Sequence, residues 1–186
     1  MPGTPRAKVE PPPLPAAFYL IALAVLAADQ LVKSVIVSRV ALNSRLVVIP
    51  HFLYLTHSRN SGAAFGMLPT ATVGLIVAGI LIVAILVLYG RRVSGCRPLW
   101  VGLALQIGGA TGNMIDRICR GHMLFHGRVV DFIDIQLTRT YVWPTFNIAD
   151  IGITVGALLI ALCLITGQGT EPKAEPEPEE QDVDPS

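Results

Sequence analysis

Between residues 11 and 169 the chain contains no glutamate, and its only carboxylates there are Asp29, Asp116, Asp131, Asp134 and Asp150. The same stretch holds four long apolar segments, at about 16–37, 71–89, 99–115 and 148–165. Crossing a bilayer takes about 20 mostly apolar residues. An ionised group left in hydrocarbon is costly unless it is paired or hydrated. A chain of this kind is confined to a helical membrane fold, and the few aspartates it keeps must be paired, wet or in use.

Composition agrees. Of 186 residues, 52% are hydrophobic and 15% charged, with a mean hydropathy of +0.59. These values place the chain in the integral-membrane class, with length for one domain. The formal net charge of +1 gives no basic excess to hold a nucleic acid, and none is expected as a partner. It also conceals an asymmetry, since seven of the 13 acids lie at 171–184. The Pro/Glu-rich segment 169–186 reads as a disordered, solvated cytoplasmic tail, and 1–15, with Pro11, Pro12, Pro13 and Pro15, as a disordered leader. Residues 16–168 form the expected four-span domain. Cys96, Cys119 and Cys163 are scattered and define neither a disulfide framework nor metal spacing.

The connections between spans differ. Segments two and three are joined by a short loop carrying Arg91, Arg92 and Arg97, a density that favours the cytoplasmic side. Arg6 and Lys8 agree, because four spans leave both termini on one side. The other two connections each exceed thirty residues. Within them 45–55 is β-branched and aromatic, with Pro50 interrupting, as short edge strands at a membrane surface would be. The stretch 129–135 is similarly apolar around its two aspartates. The expected fold is an all-α integral membrane bundle of four antiparallel transmembrane helices, with small extracytoplasmic β-like and amphipathic elements in the two long loops. One chain holds every candidate group, so a monomer suffices.

In such a bundle the C-terminal ends of spans one and three share a face with the N-terminal ends of spans two and four. The polar residues cluster at those ends: Asp29 and Lys33; Arg59, Asn60, Ser61 and Gly62; Asn113, Asp116 and Arg117; Asn147 and Asp150. This face lies opposite the basic loop. Gly102, Gln106, Gly109 and Asn113 recur every three or four residues and form one stripe, suited to close packing and interhelical hydrogen bonds. For Gln106 and the glycines, packing alone is an equal reading. Asp29 and Lys33 have the spacing of a helical ion pair and could simply neutralise each other. Asp134 could be a solvated residue alternating with Phe132 and Ile133, and Asp116 could pair locally with Arg117. His122 and His126 are spaced i,i+4, but no acid or cysteine set completes a metal site.

Five strings in order now carry a resemblance: Asp-Gln-Leu-Val-Lys (29–33), Asn-Ser-Gly-Ala-Ala-Phe-Gly (60–66), Gly-Gly-Ala-Thr-Gly-Asn-Met-Ile-Asp-Arg (108–117), Val-Val-Asp-Phe-Ile-Asp (129–134) and Phe-Asn-Ile-Ala-Asp (146–150). Together they resemble the bacterial lipoprotein signal peptidases, also called type II signal peptidases, over 18–165. The stretch 119–128 looks longer than is usual in that family. The resemblance implies an aspartyl endopeptidase of the bacterial cytoplasmic (inner) membrane. It would cleave diacylglyceryl-modified prolipoproteins just before the lipidated cysteine, in contact with membrane lipid. By the same resemblance Asp131 and Asp150 form the catalytic dyad. Asp29, Lys33, Asn60, Gly62, Gly109, Asn113, Arg117 and Asn147 would be substrate-binding or supporting positions.

The chemistry is sound in its own terms. Two close carboxylates cannot both ionise easily, so they share a proton and provide a base and an acid near neutral pH. No metal or organic cofactor is needed. A serine protease built on Ser61 would need His122 or His126 as a loop-borne base without a clear partner. A proton-coupled transporter would favour acids at the membrane midplane, not at a span's start. A purely structural subunit leaves the five strings unexplained.

Overall fold

The computed structural model describes residues 14–62, 72–92, 97–138 and 141–167. The expectations for the leader and the acidic tail, and the motif positions 63–66, fall largely or wholly outside these residues. In chain order the elements are α1 (Ala16–Arg39), β1 (Arg45–Ile49), β2 (Leu53–Asn60), α2 (Thr72–Arg92), α3 (Arg97–Cys119), β3 (Val129–Ile135) and α4 (Ile148–Ile165). The four apolar segments are thus the four helices. The two long connections carry a three-stranded antiparallel sheet, ordered β1-β2-β3.

α1, α2 and α4 are long and apolar enough to cross a membrane. Their outer faces are covered with exposed large apolar side chains, among them Leu20, Leu23, Ile80, Leu81, Ile85, Leu88, Leu158 and Leu162. A water-facing surface cannot carry such an apolar belt without cost, whereas lipid accepts it. α3 has 23 residues but does not reach the same apolarity, because it carries the polar and glycine stripe. It is the central helix, packed against α1, α2 and α4.

Glycine makes that centre possible. The stripe read from the sequence faces α4. A Cβ on Gly102 would stand 2.8 Å from the Gly156 carbonyl oxygen, and one on Gly109 would collide with that of Ala149. Gln106 packs its side chain against Gly156. A second set, Gly108 and Gly112, faces α1: a Cβ at Gly108 would lie 2.5 Å from the Ala22 carbonyl oxygen, and one at Gly112 2.7 Å from the Asp29 carboxylate. Close approach of backbones is what small residues provide where lipid offers no hydrophobic drive between helices.

The sheet is graded in burial. Every β1 residue is exposed, whereas β3 is almost wholly buried. Pro50 ends β1, and the turn at His51 (φ 62) leads into β2. β3 sits against the end of α1, where Val130 and Phe132 pack with Ile36 and Val40. That covering removes the alternation expected for Asp134. It is 3% exposed, not solvated, and is ion-paired with Arg45, whose guanidinium lies over the Tyr54 ring.

Gly109→Leu is expected to destabilise the folded protein by roughly 1–3 kcal/mol or more, because backbone rather than a flexible side chain stands in the way. Gly74, whose added Cβ meets nothing within 4 Å, should accept alanine with no loss or a gain of up to ~1 kcal/mol. Thermal unfolding in detergent distinguishes the two.

Candidate active site

The site is built on an ion cluster. Lys33, fully buried, places its ammonium 2.8 Å from Asp29 Oδ2, 2.8 Å from Asp116 Oδ2 and 3.0 Å from Asn113 Oδ1. An ammonium has three N–H donors, and these are its three partners. Asp29 and Lys33 are the expected i,i+4 pair, but the pair is only half of the arrangement. Asp116 does not pair with Arg117. It holds Lys33 and Arg120, the latter at 2.7 Å. Adjacent residues on a helix point in different directions, so Asp116 faces α1 while Arg117 faces the other way. Arg117 donates to the carbonyls of Asn113 (3.2 Å) and Gly62 (2.9 Å) and so ties the end of β2 to α3.

The same two buried carboxylates also fix other elements. Asp29 Oδ1 accepts the Ala149 backbone N–H at 3.0 Å, at the start of α4, and Asp116 Oδ2 accepts that of Val130 at 3.1 Å, in β3. Gln30 and Arg120 complete the shell. Gln30 Nε2 donates to Asp116 Oδ1 at 3.1 Å and to the Gly112 carbonyl at 3.0 Å, and Arg120 donates to the Gln30 side chain. Neither Gln30, Arg120 nor Asp116 stood among the supporting positions expected from sequence. The i,i+4 spacing of Asp116 and Arg120 was the available signal.

From this cluster the order passes to two asparagines. Asn113 Oδ1 accepts from Lys33, so its amide nitrogen must point away, and it donates to Asp150 Oδ1 at 2.8 Å. Asn147 is the N-cap of α4. Its Oδ1 accepts the Asp150 backbone N–H at 2.9 Å, while Asp150 Oδ2 accepts the Asn147 backbone N–H at 3.2 Å, a reciprocal capping box. The Asn147 amide nitrogen is thereby turned onto Asp131 Oδ1 at 2.7 Å. Asn60 donates to the other oxygen, Asp131 Oδ2, at 3.2 Å, and its own Oδ1 accepts the Gly62 N–H. Each amide's orientation is set by what its oxygen must accept.

Backbone pairing brings the two aspartates together. Phe146 bonds to Ile133 in both directions, so the residues before α4 run beside β3 and deliver Asn147 and Asp150 to Asp131. Both aspartates line a cavity of about 530 Å³ with Asn60, Gly62, Asn113 and Arg117. Its other walls are mostly apolar, from Leu75, Ala78 and Ile82 on α2, Met114 on α3, Ile153 on α4, and Trp143, Pro144 and Phe146 ahead of α4, with Thr145 and Thr154 the polar exceptions. Asp29 and Lys33 stand behind the cavity, and Gly109 lies at the α3–α4 crossing instead of lining it. Burial lifts the Asp131 carboxyl from its ordinary 3.8 to about 7; the nearby Asp150 charge adds to this, and the Asn147 and Asn60 donors oppose it. His122 and His126 border a different depression, with Arg59, Arg120 and Arg128.

An apolar helical bundle with two carboxylates at the mouth of a greasy cleft describes a membrane enzyme, and comparison with known proteins gives its family. Residues 21–166 match the family described as Signal peptidase (SPase) II. The chain is similar to the lipoprotein signal peptidase of Symbiobacterium thermophilum, 40% identical over 154 residues, covering 81% of this chain and 97% of the relative. It is also similar to that of Bacillus subtilis, 36% identical, covering 85% and 99%. A solved bacterial membrane enzyme, determined by the in meso method at 2.3 Å resolution, superposes with a TM-score of 0.75 at 32% identity, covering 90% of this chain and 98% of that one. The chain belongs to the signal peptidase II family, a family of peptidases.

Removal of the buried cation should be the most damaging single change at the site. Lys33→Met leaves Asp29 and Asp116 without their shared partner and is expected to cost roughly 3–5 kcal/mol. Arg120→Gln should cost less, since Arg120 is partly exposed. Comparison of unfolding midpoints in detergent tests this order.

Proposed function

We propose that this chain is an aspartyl endopeptidase that removes signal peptides from diacylglyceryl-modified prolipoproteins, hydrolysing the bond just before the lipidated cysteine. The observation that carries the reading is the placement of Asp131 and Asp150 on one cavity, each held by an asparagine amide, with apolar walls beside them. Family membership supplies the substrate class, since the relatives are lipoprotein signal peptidases.

In this mechanism the two carboxyls share one proton. The ionised member takes a proton from water as the oxygen attacks the scissile carbonyl carbon. The protonated member donates to the carbonyl oxygen, giving a neutral tetrahedral diol. Its collapse breaks the C–N bond, with a proton passing to the departing amine. Asn113, Asn147 and Asn60 hold the carboxyls in position, and Arg117 with the Gly62 backbone borders the place where an extended peptide would lie. The apolar walls suit the signal-peptide helix and the acyl chains of the modified cysteine. No cofactor enters the scheme.

We further propose that all four helices span the bacterial cytoplasmic (inner) membrane, alternating in direction, as one monomeric domain over 16–168. The loop with Arg91 and Arg97 and both termini then lie in the cytoplasm, and the dyad lies near the extracytoplasmic face. α3 can span despite its polar stripe because its neighbours cover that stripe.

The test is cleavage of a synthetic diacylglyceryl-modified precursor by purified protein. Asp131→Asn and Asp150→Asn should each stay folded and lose about 10²–10⁴-fold in rate. Near-normal cleavage by either folded variant removes the dyad. The pH dependence has a fixed sign: the raised Asp131 value means that the folded protein gives up this proton only as pH climbs through about 7. Loss of that proton removes the acid that the scheme requires, so kcat should fall with rising pH.

A further inference from the structure

Between α3 and β3 the chain makes a tight excursion that the proposed chemistry does not use. Its backbone is built onto the last turns of α3: the Phe125 N–H donates to the Ile118 carbonyl at 3.0 Å and that of Gly127 to Arg117 at 2.8 Å. Gly127 sits where a Cβ would collide with the Asp116 carbonyl oxygen. Phe125 adopts a left-handed conformation (φ 65) that turns the tip. The tip is therefore level with the end of the bundle and does not project far from it.

What the tip presents is apolar. Met123, Leu124 and Phe125 are 69%, 65% and 47% exposed. On a globular surface three adjacent exposed side chains of this kind are unfavourable. At the end of a bundle with apolar outer faces, such side chains can be covered by lipid instead of water. The rim is basic. Arg59, His122, His126 and Arg128 border a depression of about 390 Å³. Arg59 and Arg128 are exposed, and neither has a salt bridge among the described residues. Arg120, which also lines it, is already held by Asp116. Apolar side chains flanked by unpaired cations are the pattern that binds an anionic membrane surface.

We propose that this loop is an interfacial anchor: Met123, Leu124 and Phe125 enter the leaflet, and the depression rimmed by Arg59, His122, His126 and Arg128 takes the phosphate of an anionic phospholipid in that leaflet. The inference rests on the reading that the helices span a membrane, but not on the peptidase chemistry.

A spin label reports the depth. It is placed at Leu124→Cys in a full-length background with Cys96→Ser and Cys119→Ser, in nanodiscs of phosphatidylcholine alone or with a third phosphatidylglycerol. A label at Leu158→Cys on the outer face of α4 controls for spanning. With the control reachable by oxygen and shielded from a water-soluble nickel chelate, the Leu124 label should show the same preference, and more strongly with phosphatidylglycerol. Arg59→Gln with Arg128→Gln should abolish the phosphatidylglycerol effect and leave the control unchanged. A Leu124 label freely reached by the nickel chelate in both lipids overturns the anchor while the spanning reading stands. Equal depth in both lipids, or an effect that survives the arginine substitutions, overturns the phosphate site. A control label reached by the chelate overturns the spanning reading itself, and the anchor with it.

Discussion

A single buried ammonium holds this molecule together. Lys33 is shared by Asp29 on its own helix and by Asp116 and Asn113 on α3, and with Arg120 the cluster has two positive and two negative charges. Charge balance makes it tolerable inside a bundle, because a lone buried ion would cost several times what a surface pair gains. Its carboxylate oxygens also receive backbone N–H groups from α4 and β3. Four elements that are distant in the chain therefore meet at one electrostatic knot, and geometry around it is set by short, directional contacts.

The knot also gives the site its polarity. Because Lys33 claims the Asn113 oxygen, the Asn113 nitrogen faces Asp150; because the Asp150 backbone N–H claims the Asn147 oxygen, the Asn147 nitrogen faces Asp131. Neither asparagine could reverse without placing an oxygen against a carboxylate. Two acids are held by donors that are themselves held, at the edge of an apolar cleft. Such preorganisation keeps the carboxyl groups from drifting into solvent or onto a neighbouring cation.

Packing serves the same end. α3 approaches α4 through Gly102, Gly109 and Gly156, and α1 through Gly108 and Gly112. At Gly112 the missing side chain is replaced by the Asp29 carboxylate itself, so the helix contact and the ion cluster occupy one space. The reading of Gly102, Gln106 and Gly109 as helix contacts thus describes their place well, while Asn113 at the end of the same stripe reaches the cleft. The second glycine face, toward α1, was not visible as a separate stripe, because Gly108 and Gly112 are spaced like any two turns of an apolar helix.

Much of the architecture was legible in the sequence because the bilayer leaves few choices. Apolar runs of the right length became helices, β-branched runs in the long connections became strands, and the polar ends of the helices converged. The motif residues Asn60, Asn113, Asp131 and Asp150 did meet at one cavity, and Asn147, buried behind it, bonds to Asp131. Pairing between charges was another matter. Sequence neighbours suggested Asp116 with Arg117 and a solvated Asp134; the structure joins Asp116 to Lys33 and Arg120, and buries Asp134 against Arg45. Periodicity and hydropathy act along one chain, and so the sequence alone determined the helices, the polar stripe on α3 and the scarcity of acids. Which carboxylate meets which cation depends on the distance between elements up to some 89 positions apart, and only tertiary packing decides that.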